Sequence, residues 1–167
     1  DDAETVKKLV SNCLYPPNGH RSMTGSLPQL NFEKKTIHEV SKVINNDVII
    51  VVMLESPKAI ENVEKIASVP GVDVLLIGTN DLCMEMGIPG QYDHEDIKLS
   101  FEKVIQACNK NNIIPGMGGV YTEDLMYEYI SLGMRFILCG SDLSFLMSAA
   151  KNRSNNLINF FKNKGER

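Results

Sequence analysis

Val48-Ile-Ile-Val-Val-Met-Leu-Glu-Ser-Pro57 and Val72-Asp-Val-Leu-Leu-Ile-Gly-Thr-Asn-Asp-Leu82 decide how this chain folds. Each is an apolar run without the polar alternation of a half-exposed strand, the pattern of a strand covered on both faces. Each ends in a carboxylate, Glu55 and Asp81. Between them Ile60, Val63, Ile66 and Ala67 recur at a helical period over Ala59 to Ser68, which makes the whole a β-α-β unit. Such a crossover lays its strands side by side and parallel, with their carboxyl ends on one side. Two acidic side chains then face one crevice, where parallel α/β folds place their chemistry.

Outward from this unit, the same reading predicts a helix over 1–13 with Val6, Leu9, Val10 and Cys13 on one face, stopped by Tyr15-Pro-Pro-Asn-Gly19. A polar connection follows over 20–30, then a helix over 32–44, the strand 48–54, the helix 58–68 and the strand 72–77. A short helical turn at 81–86 is closed by Gly87-Ile-Pro-Gly90, and a long helix spans 93–111 with Ile97, Phe101, Val104, Ile105 and Cys108 as its stripe. A strand at 113–117 runs into Gly118 and Gly119; Thr122 can cap a helix over 123–132, Gly133 ends it, and a strand at 136–139 leads into a helix over 142–162. After two helices, strand and helix alternate four times, which predicts a parallel sheet or barrel. Four strands are half of a (β/α)₈ TIM barrel, whose usual length is roughly 250 residues. An isolated half would leave two open sheet edges. The chain also opens at Asp1, already in what reads as a helix turn, so it is expected to be a piece of something longer, one incomplete barrel domain over 1–167 whose first strands are missing or supplied by another chain.

The totals narrow the function classes. At 167 residues and 43% hydrophobic residues the chain can bury a real core as one domain. A formal charge of -4 argues against a nucleic-acid partner. Only the tail is basic, with Lys151, Arg153, Lys162, Lys164 and Arg167, the composition of a solvated helix end. No apolar run approaches the ~18 to 20 residues of a membrane span, and no signal-peptide pattern is present, so a cytoplasmic protein is expected. Cys13, Cys83, Cys108 and Cys139 lack a C-x-x-C pair, which favours reduced thiols over zinc or a disulfide framework.

Glu55 and Asp81 are the leading chemical candidates. Hard carboxylate oxygens at neighbouring strand ends suit Mg²⁺ or Mn²⁺, which keep waters and take further ligands from a substrate. Two alternatives stand beside this: each carboxylate merely caps the helix after it, or the pair acts as acid and base in the manner of a glycosidase. Gly78-Thr-Asn-Asp81 sets backbone N–H groups at a helix start, where an anion is favoured, though a tight turn reads equally well. Gly116-Met-Gly-Gly119 either lets a ligand approach the backbone or turns the chain, and the turn is preferred. Gly140-Ser-Asp142 reads as a capped helix start, and His20, His38 and His94 as surface histidines.

Leu54-Glu55-Ser56, Val69-Pro-Gly-Val-Asp73, Ile77-Gly-Thr-Asn-Asp-Leu82, Met86-Gly87 and Gly140-Ser-Asp-Leu143 resemble, in order, the HpcH/HpaI family of metal-dependent pyruvate aldolases, and Tyr15-Pro-Pro-Asn-Gly-His-Arg21 resembles its Y-P-P-x-G-x-R segment. The resemblance implies the (β/α)₈ TIM barrel of the phosphoenolpyruvate/pyruvate superfamily, here its C-terminal half to two thirds. It implies Glu55 and Asp81 as ligands of Mg²⁺ or Mn²⁺, with Co²⁺ a further option, and Gly78, Thr79 and Asn80 as the segment holding the pyruvate carboxylate. The implied reaction is cleavage of a 4-hydroxy-2-oxo acid to pyruvate and an aldehyde through a metal-stabilised enolate. Relatives of this kind form homo-oligomers that exchange their last helix, here 142–162. Met53 stands where members commonly carry Gln, and Thr79 where they carry Pro. The catalytic His and Arg of the family belong to strands upstream of Asp1, so no residue here is expected to inherit those roles, and this chain alone is expected not to turn over. A citrate-lyase-like or acyl-CoA lyase, and a non-catalytic remnant that binds a ligand or partner, are the competing readings.

Overall fold

The computed structural model describes residues 1–24 and 27–165. The 20–30 connection is therefore described only in part, and Arg167 of the basic tail lies outside the described residues. The chain divides into two compact units, Asp1–Ile137 and Leu138–Arg167.

In the first unit, α1 (Ala3–Cys13) and α2 (Ile37–Asp47) precede the strands β1 (Val51–Leu54), β2 (Val74–Gly78), β3 (Ile114–Gly118) and β4 (Phe136–Ile137). Helices α3 (Pro57–Glu61) and α4 (Val63–Ala67) join β1 to β2; α5 (Thr79–Glu85) and α6 (Glu95–Asn111) join β2 to β3; α7 (Glu123–Leu132) joins β3 to β4. The sheet order is β1-β2-β3-β4 with all pairs parallel, the α/β architecture of a partial barrel. Leu54 lies opposite Ile77, and Gly78 opposite Gly118, so the three strands end nearly level.

The core is the layer between sheet and helices. Val52, Leu54, Leu75, Ile77 and Met117 meet Ile60, Val63 and Ile66 from α3 and α4, and Ile97, Phe101, Val104 and Cys108 from α6. Each fully buried aliphatic or aromatic side chain contributes about 1.5–3 kcal/mol relative to exposure. Phe101 stacks on Tyr129 with ring centroids 3.9 Å apart, which locks α6 to α7. A second cluster of Tyr15, Leu27, Leu30, Val40 and Ile44 packs α2 against the loop that precedes it.

Several boundaries differ from the sequence expectation for local reasons. The second helix starts at Ile37 rather than at Phe32, because Asn31 and Phe32 take left-handed φ values of 52° and 58° and Thr36 forms a capping box with Glu39. The single helix over 58–68 is two short ones, broken at Asn62 (ψ 5°), whose side-chain amide donates to the Asp1 carbonyl. β1 is not covered on both faces: Val51 and Met53 remain 39% and 49% exposed, while β2 buries both of its faces. β1 is the edge strand and has one neighbour, whereas β2 has two.

The second unit is dominated by α8 (Asp142–Asn163), which opens with a capping box between Ser141 and Ser144. The bland reading of Gly140-Ser-Asp142 as a capped helix start is the one the structure gives. Leu143, Phe145, Leu146, Phe160 and Phe161 are all more than half exposed on it. No described helix is long and apolar enough to cross a membrane.

Candidate functional site

The level ends of β1 and β2 put Glu55 beside Gly78. The half-buried Glu55 side chain lies across that glycine, since a Cβ built at position 78 would stand 2.7 Å from Glu55 Cγ and Oε1. Asp81 follows three residues later, in the first turn of α5, where the helix dipole favours a carboxylate. The Glu55 carboxyl is held above its ordinary range, first by burial, then by the negative charge of Asp81 and by a side-chain hydrogen bond with Asp81. Two carboxyl groups hydrogen-bond only when they share a proton, so the structure brings the predicted acids together.

Neither acid caps a helix, contrary to the simplest alternative. Ser56, not Glu55, caps α3, its hydroxyl accepting from Ala59 N at 3.1 Å. The N-cap position of α5 belongs to Gly78, with no side chain bonded to it, and Asp81 lies inside the helix. Both oxygen sets are thus left to each other and to whatever lies between them. A proton or a cation relieves that like-charge contact, and hard oxygens prefer Mg²⁺ or Mn²⁺. The donor chemistry fits such an ion with two protein ligands, the others coming from water and substrate. Among the described residues no group of three or more His, Cys, Asp or Glu could hold a metal.

Around the acids, Gly78, Thr79 and Asn80 form the uncapped start of α5. Thr79 is fully buried and its hydroxyl finds no partner among the described residues. Asn80 is exposed, and its Oδ1 accepts a 2.7 Å hydrogen bond from the Tyr92 hydroxyl. Gly119, at a left-handed φ of 89°, lies under Asn80: a Cβ there would meet Asn80 Nδ2 at 3.1 Å. The preference for a simple turn at Gly116–Gly119 was incomplete, because Gly119 also admits a side chain of the candidate site. Met53 sits on β1 two residues before Glu55, 49% exposed. Of the histidines, His94 caps α6, its Nδ1 accepting from Asp96 N at 3.2 Å. Sequence reasoning missed Tyr92, which lies in the loop after Gly90 and carries no periodic or motif signal.

A parallel sheet with helices on its face and paired acids at its strand ends defines a partial (β/α) barrel. The chain belongs to the HpcH/HpaI aldolase/citrate lyase family, whose family model matches residues 1–149. It is 37% identical over 151 residues to the 4-hydroxy-4-methyl-2-oxoglutarate aldolase of Chaetomium globosum, covering 89% of this chain and 56% of that protein. It is 29% identical over 150 residues to the 4-hydroxy-2-oxo-heptane-1,7-dioate aldolase of Shigella flexneri, covering 90% and 55%. An HpcH/HpaI aldolase structure from Desulfitobacterium hafniense superposes with a TM-score of 0.82 at 27% identity, covering 93% of this chain and 60% of that one. The chain spans about half the length of the curated relatives it matches.

Proposed function

We propose that the protein acts as a divalent-metal-dependent aldolase, a carbon-carbon lyase that cleaves a 4-hydroxy-2-oxo acid to pyruvate and an aldehyde. The observation that carries this reading is the Glu55–Asp81 pair, two carboxyl groups pressed together at neighbouring strand ends. They would hold Mg²⁺ or Mn²⁺, with Co²⁺ as a further candidate. Bound there, the ion supplies Lewis-acid polarisation of the oxo acid's oxygens. The uncapped start of α5 at Gly78, Thr79 and Asn80 offers backbone donors and the positive end of a helix dipole to a substrate carboxylate. Gly78 gives the Glu55 carboxylate its room, and Asp81 holds its charge where the dipole favours it. The relatives bearing aldolase names support the reaction class.

The oligomeric part of the reading rests on α8. A helix showing Leu143, Phe145, Leu146, Phe160 and Phe161 to solvent is suited to a second copy, so a homo-oligomer exchanging 142–162 is the proposed assembly. Four free cysteines agree with a cytoplasmic setting.

Calorimetric titration with Mn²⁺ tests the centre. Binding is expected in the parent protein and lost in Glu55→Gln and Asp81→Asn. Unchanged affinity in both variants would overturn the metal assignment. Pyruvate release from a 4-hydroxy-2-oxo acid by the intact protein, abolished by a chelator and restored by Mg²⁺ or Mn²⁺, tests the reaction.

A further inference from the structure

Asn80 is held more firmly than an exposed side chain at a helix start needs to be. Its Oδ1 accepts from the Tyr92 hydroxyl at 2.7 Å, which fixes which end of the carboxamide is oxygen. The amide NH₂ is thereby turned the other way, and among the described residues it donates to no acceptor. It lies over Gly119, at the carboxyl end of β3, where the lack of a side chain keeps the space open. Tyr92 is itself tied down: its carbonyl accepts from the hydroxyl of Tyr129, which is fully buried and stacked on Phe101. The chain of support therefore runs from the core, through α6 and α7, to one amide beside the acid pair.

An oriented NH₂ group with spare donors has one chemical use at such a place, which is to bind an oxygen anion. The adjacent Thr79 hydroxyl cannot do so, because it is sealed from solvent. We infer that the Asn80 carboxamide is a side-chain donor to the carboxylate of the oxo acid bound at the start of α5, and that Tyr92 is the positioning residue that aims it. This inference rests on the proposed aldolase reading and adds to it a side-chain contact that depends on a second loop. Tyr92 itself touches no reacting atom; it acts through Asn80. In an unaimed amide, part of each binding event would go into freezing the side-chain torsions.

The test is calorimetric binding of pyruvate, with saturating Mg²⁺, to the intact protein and to Asn80→Ala, Tyr92→Phe, the double variant and Asn80→Asp, each with its thermal midpoint. Asn80→Ala is expected to weaken pyruvate about tenfold, the loss of one hydrogen bond to a charged oxygen. Tyr92→Phe is expected to weaken it about three- to tenfold, and the double variant no more than Asn80→Ala alone, because the tyrosine acts through the asparagine. Asn80→Asp, which sets a carboxylate against a carboxylate, is expected to weaken it most. If Tyr92→Phe and Asn80→Ala lower only the thermal midpoint and leave pyruvate affinity unchanged, the inference is overturned while the aldolase reading stands. Additive losses in the double variant would overturn the positioning role. Failure of the parent protein itself to bind pyruvate would overturn both.

Discussion

Glu55 lies across Gly78 so closely that position 78 has no room for a methyl group, with only 2.7 Å between a built Cβ and either Glu55 Cγ or Oε1. Gly78 has φ -83° and ψ 84°, which an alanine can adopt, so the penalty of Gly78→Ala comes from this contact and not from backbone strain. Overpacking of this kind costs about 1–3 kcal/mol, and the cheapest relief is for the Glu55 carboxylate to swing away. The variant is expected to fold, by circular dichroism, and to bind Mn²⁺ about tenfold or more weakly. Unchanged Mn²⁺ affinity would mean that the carboxylate needs no contact with this glycine.

Glu55 also gives the metal-free protein a pH dependence whose sign is fixed. Burial and then Asp81 raise its carboxyl above the ordinary glutamate value of 4.5, so the folded state keeps a proton that the unfolded state has released. Its contribution to stability is complete below that value and is lost as pH rises through the raised folded value. At neutral pH, Glu55→Gln is therefore expected to be the more stable protein without metal, and the difference should disappear below about pH 4.5. Added Mg²⁺ should raise the melting midpoint of the parent protein and leave Glu55→Gln unmoved. Asp81→Asn should bring the Glu55 titration only part of the way back, because burial, the larger cause, remains. Melting curves across pH, with and without metal, check all three.

The meeting of Glu55 and Asp81 was legible because it follows from two short-range facts: a strand-helix-strand repeat makes its strands parallel, and the acids stand just past the two strand ends. The start of α5 at Gly78 to Asn80 was legible for the same reason. Local backbone geometry was harder. Nothing in the residue types alone marks the left-handed pair Asn31 and Phe32, which delays α2, or the break at Asn62. The open face of β1 escaped the apolar pattern of Val51 and Met53 because pattern reports what a residue prefers to touch, and coverage depends on the neighbour an edge strand has. Tyr92 reaches Asn80 across a loop, where no period constrains which side chain folds back.

The Thr79 hydroxyl is buried without a partner, next to residues that have a functional reading. A hydroxyl in that state costs about 1–3 kcal/mol in desolvation, and valine has nearly its shape. Thr79→Val is expected to raise stability by about 1 kcal/mol, a few degrees in melting midpoint, without changing Mn²⁺ affinity. A lower midpoint would show that an ordered water or a bound ligand group completes the hydroxyl.

The four cysteines should separate by reactivity, and two core groups should set an alkaline limit on the fold. Cys139 is exposed, while Cys83 and Cys108 are buried. Burial pushes both of those thiols up, that of Cys108 to about 12 from an ordinary 9.0. A thiolate-selective reagent at pH 8 is expected to label Cys139 readily, and Cys83 and Cys108 only on unfolding. The same raised value makes folding proton-linked: above pH 9 the unfolded chain releases the Cys108 proton and the folded chain keeps it. The stability this group contributes is complete below pH 9 and is lost as pH rises toward 12. Tyr129, also raised by burial, acts in the same sense from about pH 10 upward. The denaturant midpoint is therefore expected to fall with rising pH above 9, and to fall less steeply in Cys108→Ala, whose cavity lowers stability by a pH-independent amount. Equal slopes for the two proteins would show that the Cys108 thiol does not carry this dependence.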